Sequence, residues 1–207
     1  MKKIKIICML IVLLWIITGC AAGSDPTQTT NPQNELGEDV ELYYMESDWP
    51  WYASLGELLS SMKYVIIGKA EEQLPYEEHD YSIGVKNAMP TVETPFRVSV
   101  VKSIYGEIKE SHIKIIQSGG LSSDGKRFYS STNEPLLEVG KEYLMFMIGG
   151  NGRYGLAPPR VGYIEIQDGK LNFEEKENLF GTEDLAEALE LLEKTIFEIE
   201  NPVKMDE

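Results

Sequence analysis

The stretch TPFRVSVVKSIYG (residues 94–106) alternates. Phe96, Val98 and Val100 fall on one side, and Arg97 and Ser99 on the other. A period of two marks a strand with one buried face. Working outward, KYVIIGKA (63–70) is a short continuous apolar run, and HIKIIQSGG (112–120) sets Ile113 and Ile115 against Lys114. KEYLMFMIGGNGRYGLAPP (141–159) and VGYIEIQDGKLNF (161–173) each hold a further strand. Asn151-Gly152 and Asp168-Gly169 are hairpin signals, because both central positions of a tight hairpin turn favour Asn, Asp or Gly. Strands joined by such short turns predict a mainly-β, antiparallel domain.

Helical spacing brackets these strands. In DWPWYASLGELLSSM (48–62), Leu55, Leu58, Leu59 and Met62 share one stripe, which predicts a short helix over 54–62. In GTEDLAEALELLEKTIFEIENP (181–202), Leu185, Ala188, Leu189, Leu192, Ile196 and Ile199 do the same. Thr182 is the expected N-cap of this C-terminal amphipathic helix, with Glu183 and Asp184 in its first turn. Pro202 ends it.

The N-terminus is of another kind. Lys2, Lys3 and Lys5 precede IICMLIVLLWIIT, an apolar run of about 13 residues, the build of a secretory signal. A spanning helix needs about 20. A polar segment with Pro26 and Pro32 follows, suited to a tether rather than a core. The expected division is a signal peptide over 1–19, a flexible tether over 20–45 and a single domain over 46–200.

At the junction stands ITGC: Ile17, Thr18, Gly19, Cys20. It resembles the bacterial lipobox, where a branched apolar residue and two small ones precede the cysteine that receives a diacylglyceryl group. The resemblance implies cleavage before Cys20, a lipid on its sulfur, and a place on the extracytoplasmic face of the cell membrane. Cys8, the other of the two cysteines, would leave with the peptide. The mature chain would then have neither a free thiol nor a disulfide, which excludes a cysteine nucleophile, a CxxC redox pair and a cysteine-based zinc site. Without the three signal lysines, 16 basic residues face 34 acidic ones. So acidic a domain is no electrostatic partner for nucleic acid, and the anchor is the expected membrane attachment.

The order of the strand runs carries a second resemblance. Val65–Lys69, Phe96–Gly106, Ile113–Ile116 and Leu137–Phe146, with Gly140 and Tyr143 in a "G..Y" pattern, resemble the netrin-like and tissue-inhibitor-of-metalloproteinase-like domains over roughly 58–173. The resemblance implies an OB-like five-stranded antiparallel barrel, here with a short N-terminal helix and a C-terminal amphipathic helix. Those relatives inhibit metalloproteases through a free N-terminal cysteine pinned by disulfides. This chain departs on both counts, so that mechanism is not expected of it.

No HExxH, GxSxG, P-loop or DxDxDG motif is present. Of the two histidines, His79 sits in PYEEHDY beside Glu77, Glu78 and Asp80. Carboxylates next to an imidazole suit a divalent metal, but a hydrated loop is the expected reading, and no metal or other cofactor is expected. His112 opens a strand and reads as a surface residue. GGNGRYG (149–155) lacks the helix, Lys and Ser/Thr of a phosphate loop and reads as a hairpin turn. Partner-binding candidates are the aromatic pair Trp49 and Trp51, and Arg127, Phe128 and Tyr129 in the polar stretch 118–135, read as a long loop. The expected function is a membrane-anchored module that binds an extracytoplasmic protein or envelope component and has no chemistry of its own. The alternative is an envelope-associated hydrolase or enzyme accessory with a carboxylate and histidine site. Cys20→Ser is expected to abolish incorporation of labelled palmitate; labelling that persists in this variant removes the anchor.

Overall fold

The computed structural model describes residues 39–45, 50–79, 91–131, 135–158, 160–174 and 176–202. The lipobox residues Ile17, Thr18, Gly19 and Cys20, and also Trp49, lie outside them. In chain order the elements are β1 (Glu41–Met45), α1 (Leu55–Ser61), β2 (Tyr64–Gln73), β3 (Glu77–His79), β4 (Thr91–Tyr105), β5 (His112–Ser118), β6 (Gly120–Leu121), β7 (Arg127–Ser131), β8 (Glu142–Gly150), β9 (Arg153–Leu156), β10 (Tyr163–Gln167), β11 (Lys170–Asn172) and α2 (Leu185–Glu200).

The main sheet runs β11-β10-β8-β2-β4-β5-β9, with β3 added on β4. β9 is paired on both sides, in parallel with β5 and antiparallel to β8. The expectation of an OB-like five-stranded antiparallel barrel is therefore corrected. The sheet has eight strands, it is mixed because of the β5–β9 pair, and as a whole it does not close, since its path continues through β10 to an edge at β11. Mainly-β content stands. The resemblance to netrin-like domains rested on the order of four runs, and that order does not specify how many further strands join them.

β2 and β8 are buried on both faces, which is why they read as continuous apolar runs. Val65, Ile67, Leu144 and Phe146 face one core, completed by Leu55, Leu58 and Leu59 of α1 and Ala188 and Leu192 of α2. Ile66, Tyr143, Met145 and Met147 face a second core with Phe96, Val98, Ile113 and Ile115. Gly68 of β2 lies against β4 so closely that a Cβ there would stand 2.7 Å from Val98 Cγ1. β-bulges around it let the longer β4 wrap β2. Pro95 interrupts β4 where β2 ends and β3 begins; Leu74 N–H donates to its carbonyl at 2.8 Å, and its missing N–H falls at that break.

The helices also differ from expectation. Instead of one opening a barrel and one docking on it, α1 and α2 contact each other and cover the same face of the sheet. The cap of α2 is Asp184, whose Oδ1 accepts from Ala186 N–H at 2.9 Å and Glu187 N–H at 3.1 Å. Thr182 stands two residues earlier, and its hydroxyl accepts from Asp184 N–H and donates to Glu187. A carboxylate reaching two N–H groups outcompetes the single hydroxyl. No helix among the described residues is long and apolar enough to cross a membrane.

The stretch 118–135 is not one long loop. It contributes β6 and β7 to a small second sheet, β1-β7-β6, in which β1 runs parallel to β7.

Leu192 is fully buried between the helices and the sheet, whereas Phe197 on the same helix is 66% exposed. Leu192→Ala is expected to cost about 3 kcal/mol and Phe197→Ala under about 0.5 kcal/mol, measured by urea unfolding.

Candidate functional site

The face of β4 and β5 turned away from the second core carries Glu93, Arg97, His112 and Lys114, because each alternates with a buried neighbour. β3 extends this face. Its three residues pair antiparallel with Thr91–Glu93, which sets Glu77 directly opposite Glu93 and leaves His79 on the same side. Glu78 points the other way, and its carboxylate accepts from Ser123 N–H at 2.7 Å. The hydrated-loop reading of PYEEHDY is thus corrected for 77–79, which form a strand.

Like charges directly opposite on paired strands repel. Two cations offset that here. Arg153, the first residue of β9, donates from Nη1 to Glu77 Oε2 at 3.1 Å and from Nη2 to Glu93 Oε2. Lys114, its parallel-register partner on β5, donates to Glu77 Oε1. His79 Nε2 stands 3.5 Å from Glu77 Oε2 and 3.4 Å from Glu93 Oε2. The site is half-buried: the side chains of Glu77, His79 and Glu93 are 29%, 33% and 15% exposed. The Lys114 ammonium holds the Glu77 carboxyl below its ordinary value of 4.5, with Arg153 adding to the effect and burial opposing it.

Ligand atoms of Glu77, His79 and Glu93 all lie within 4.8 Å of one another, close enough to share one metal ion. An imidazole with two carboxylates is a donor set for borderline divalent ions of the zinc type, with coordination positions left open. The carboxylates are not idle in this state, however. With His79 neutral, two negative charges meet two positive ones, and any ion must displace Arg153 or Lys114.

The other histidine lies further along the same face. His112 Nδ1 is 3.0 Å from Ser111 Oγ, and its Nε2 is 3.2 Å from Glu71 Oε2. A hydroxyl and an acid thus flank His112, a grouping the sequence spacing does not reveal. Its imidazole is 49% exposed and the Glu71 carboxylate 33%, so water competes for each of these bonds, and they lack the dry setting that nucleophilic catalysis draws on.

The sequence-derived binding candidates scatter. Phe128 and Tyr129 are 0% and 2% exposed and offer no surface to a partner. Arg127 lies over Tyr43, its guanidinium 5.9 Å from the ring centroid. Trp51 is 61% exposed with Arg160 stacked 5.3 Å away. None of these touches the Glu77–His79–Glu93 group. An open polar cleft of about 590 Å³ lies at the β10–β11 hairpin, lined by Asp168, Lys170, Glu174 and Glu183 among others, away from either histidine. Comparison with protein-family models and with curated proteins returns no match.

A depressed carboxyl contributes stability that is present above its unfolded value and lost as pH falls through the folded one. Glu77→Gln is therefore expected to destabilise the domain at pH 7. The difference from wild type should shrink once pH drops below about 4.5. Urea unfolding of both proteins between pH 7 and pH 3 measures it, and a pH-independent difference contradicts the ion-pair account.

Proposed function

We propose that this chain works on the extracytoplasmic face of the cell membrane, anchored through Cys20, as an accessory to an envelope enzyme, and that its own working site is a divalent-cation site formed by Glu77, His79 and Glu93. The observation that carries this reading is the convergence of one imidazole and two carboxylates, from two strands, within 4.8 Å. Sequence neighbours alone would supply Glu77 and His79; it is Glu93, brought in by strand pairing, that makes a third ligand. Three protein ligands leave room for water or a substrate group, the arrangement that lets a bound metal polarise what it holds. The second reading, a plain binding module, draws on exposed Trp51 with Arg160 against its ring.

Arg153 shapes how the site would load. Its side chain is 44% exposed, so it can swing into solvent when an ion takes its place. The ligating imidazole must be neutral, so binding should weaken on acidification.

Calorimetric titration of metal-free protein with zinc is expected to give one site per chain. His79→Ala and Glu93→Gln should each weaken it by at least about tenfold, since even removal of outer-shell partners costs that much. Zinc binding that is absent, or unchanged by both substitutions, rejects the reading; the latter result would assign the ion to scattered surface carboxylates.

A further inference from the structure

The counter-charges of the site suggest what it holds beside the ion. Before loading, the group is balanced: Glu77 and Glu93 against Lys114 and Arg153. A divalent ion that takes the carboxylates brings two more positive charges. It also frees a guanidinium and an ammonium whose partners it has just claimed. Register pairing of Lys114 and Arg153 on the parallel β5–β9 pair keeps both residues next to the site, so each side chain can return to it once it has let go of its carboxylate. A half-buried site with an excess of two positive charges is unstable until an anion restores the balance.

Resting on the cation reading above, we infer that the site takes a dianionic tetrahedral oxyanion together with its metal ion: a phosphate or phosphonate group. One oxygen would occupy an open position on the ion. The planar guanidinium of Arg153 presents two parallel N–H donors to the others, and Lys114 adds a point charge. The dianion matches the charge left by the ion, which a monocarboxylate does not. Arg153 then has two partners in turn, the carboxylates before loading and the oxyanion after it, and acts as a positioning residue rather than a ligand to the metal.

Arg153 is delivered by a glycine-rich turn. Gly149, Gly150, Asn151 and Gly152 all have positive φ, and a Cβ on Gly152 would meet nothing within 4 Å. The hairpin is thus open at its tip, while behind it a Cβ on Gly149 would stand 2.6 Å from the Arg153 carbonyl oxygen, so the backbone that carries the arginine is closely packed.

The test uses the full chain in detergent, loaded with Co²⁺ as a spectroscopic metal and titrated with phenylphosphonate, followed by calorimetry and by the visible absorption of the metal. Wild type should bind one phenylphosphonate per loaded chain and none without metal. Arg153→Ala should bind Co²⁺ as tightly as wild type or more so, because a competing cation is gone, yet bind phenylphosphonate about 10- to 100-fold more weakly. Arg153→Lys should recover part of the loss. Failure of wild type to bind Co²⁺ overturns the cation reading and this inference with it. Co²⁺ binding with phenylphosphonate affinity that is absent, metal-independent or unaltered in Arg153→Ala overturns this inference alone.

Discussion

β2 gives away both of its edges and both of its faces. Its edges pair with β4 and β8, and its side chains alternate between a core under the helices and a core under β4 and β5. A strand so enclosed has to be apolar over its middle, and the run from Val65 to Ile67 is. Everything peripheral is arranged around that burial. The helices close one core. β4 and β5 close the other with one face each, and so turn their remaining face outward, where charge is tolerated. The ion-pair group stands on that outward face, which no helix among the described residues covers.

That group shows how a sheet resolves a conflict of its own making. Pairing β3 with β4 sets two glutamates against each other across a ladder, an arrangement that costs energy when left alone. The parallel pairing of β5 with β9 places a lysine and an arginine within reach of them. Two separate ladders, one on each side of β4, thus supply opposite halves of one charge balance. The same balance makes the site selective about what can enter. An ion must outbid two cations already in place, which favours a divalent ligand over a monovalent one.

Much of the sheet was legible as periodicity. Phe96 and Val98 against Arg97, and Ile113 and Ile115 against Lys114, gave the buried and outer faces of β4 and β5 directly, because a strand's period of two leaves no freedom. Pairing was less legible. Nothing local in PYEEHDY indicates that Glu93, across the intervening segment, completes the group, and nothing in GGNGRYG indicates that its arginine crosses to Glu77. Such contacts depend on which strands lie side by side, a property of the whole chain. Burial of Phe128 and Tyr129 was missed for a related reason. The surrounding serines and lysine gave 118–135 a polar composition, while β1 and β6 supply the pairing that makes β7 a strand. At the start of α2 the error was small and chemical, a hydroxyl preferred where a carboxylate two residues later reaches two backbone donors.

The two-residue turn Asn151-Gly152 has a consequence in the parity of the chain. It joins Gly150 to Arg153 in register, and that count puts Arg153 on the outer face and Tyr154, 4% exposed, on the inner one. Sheet side chains alternate strictly, so one residue more or less in this turn exchanges the two. The tyrosine would then face solvent and the arginine would be driven toward an apolar core, with every charged residue of the site still in the sequence. The electrostatics of Glu77 and Glu93 are thus set by a length, and a single-codon insertion distant in sequence from either glutamate would undo them.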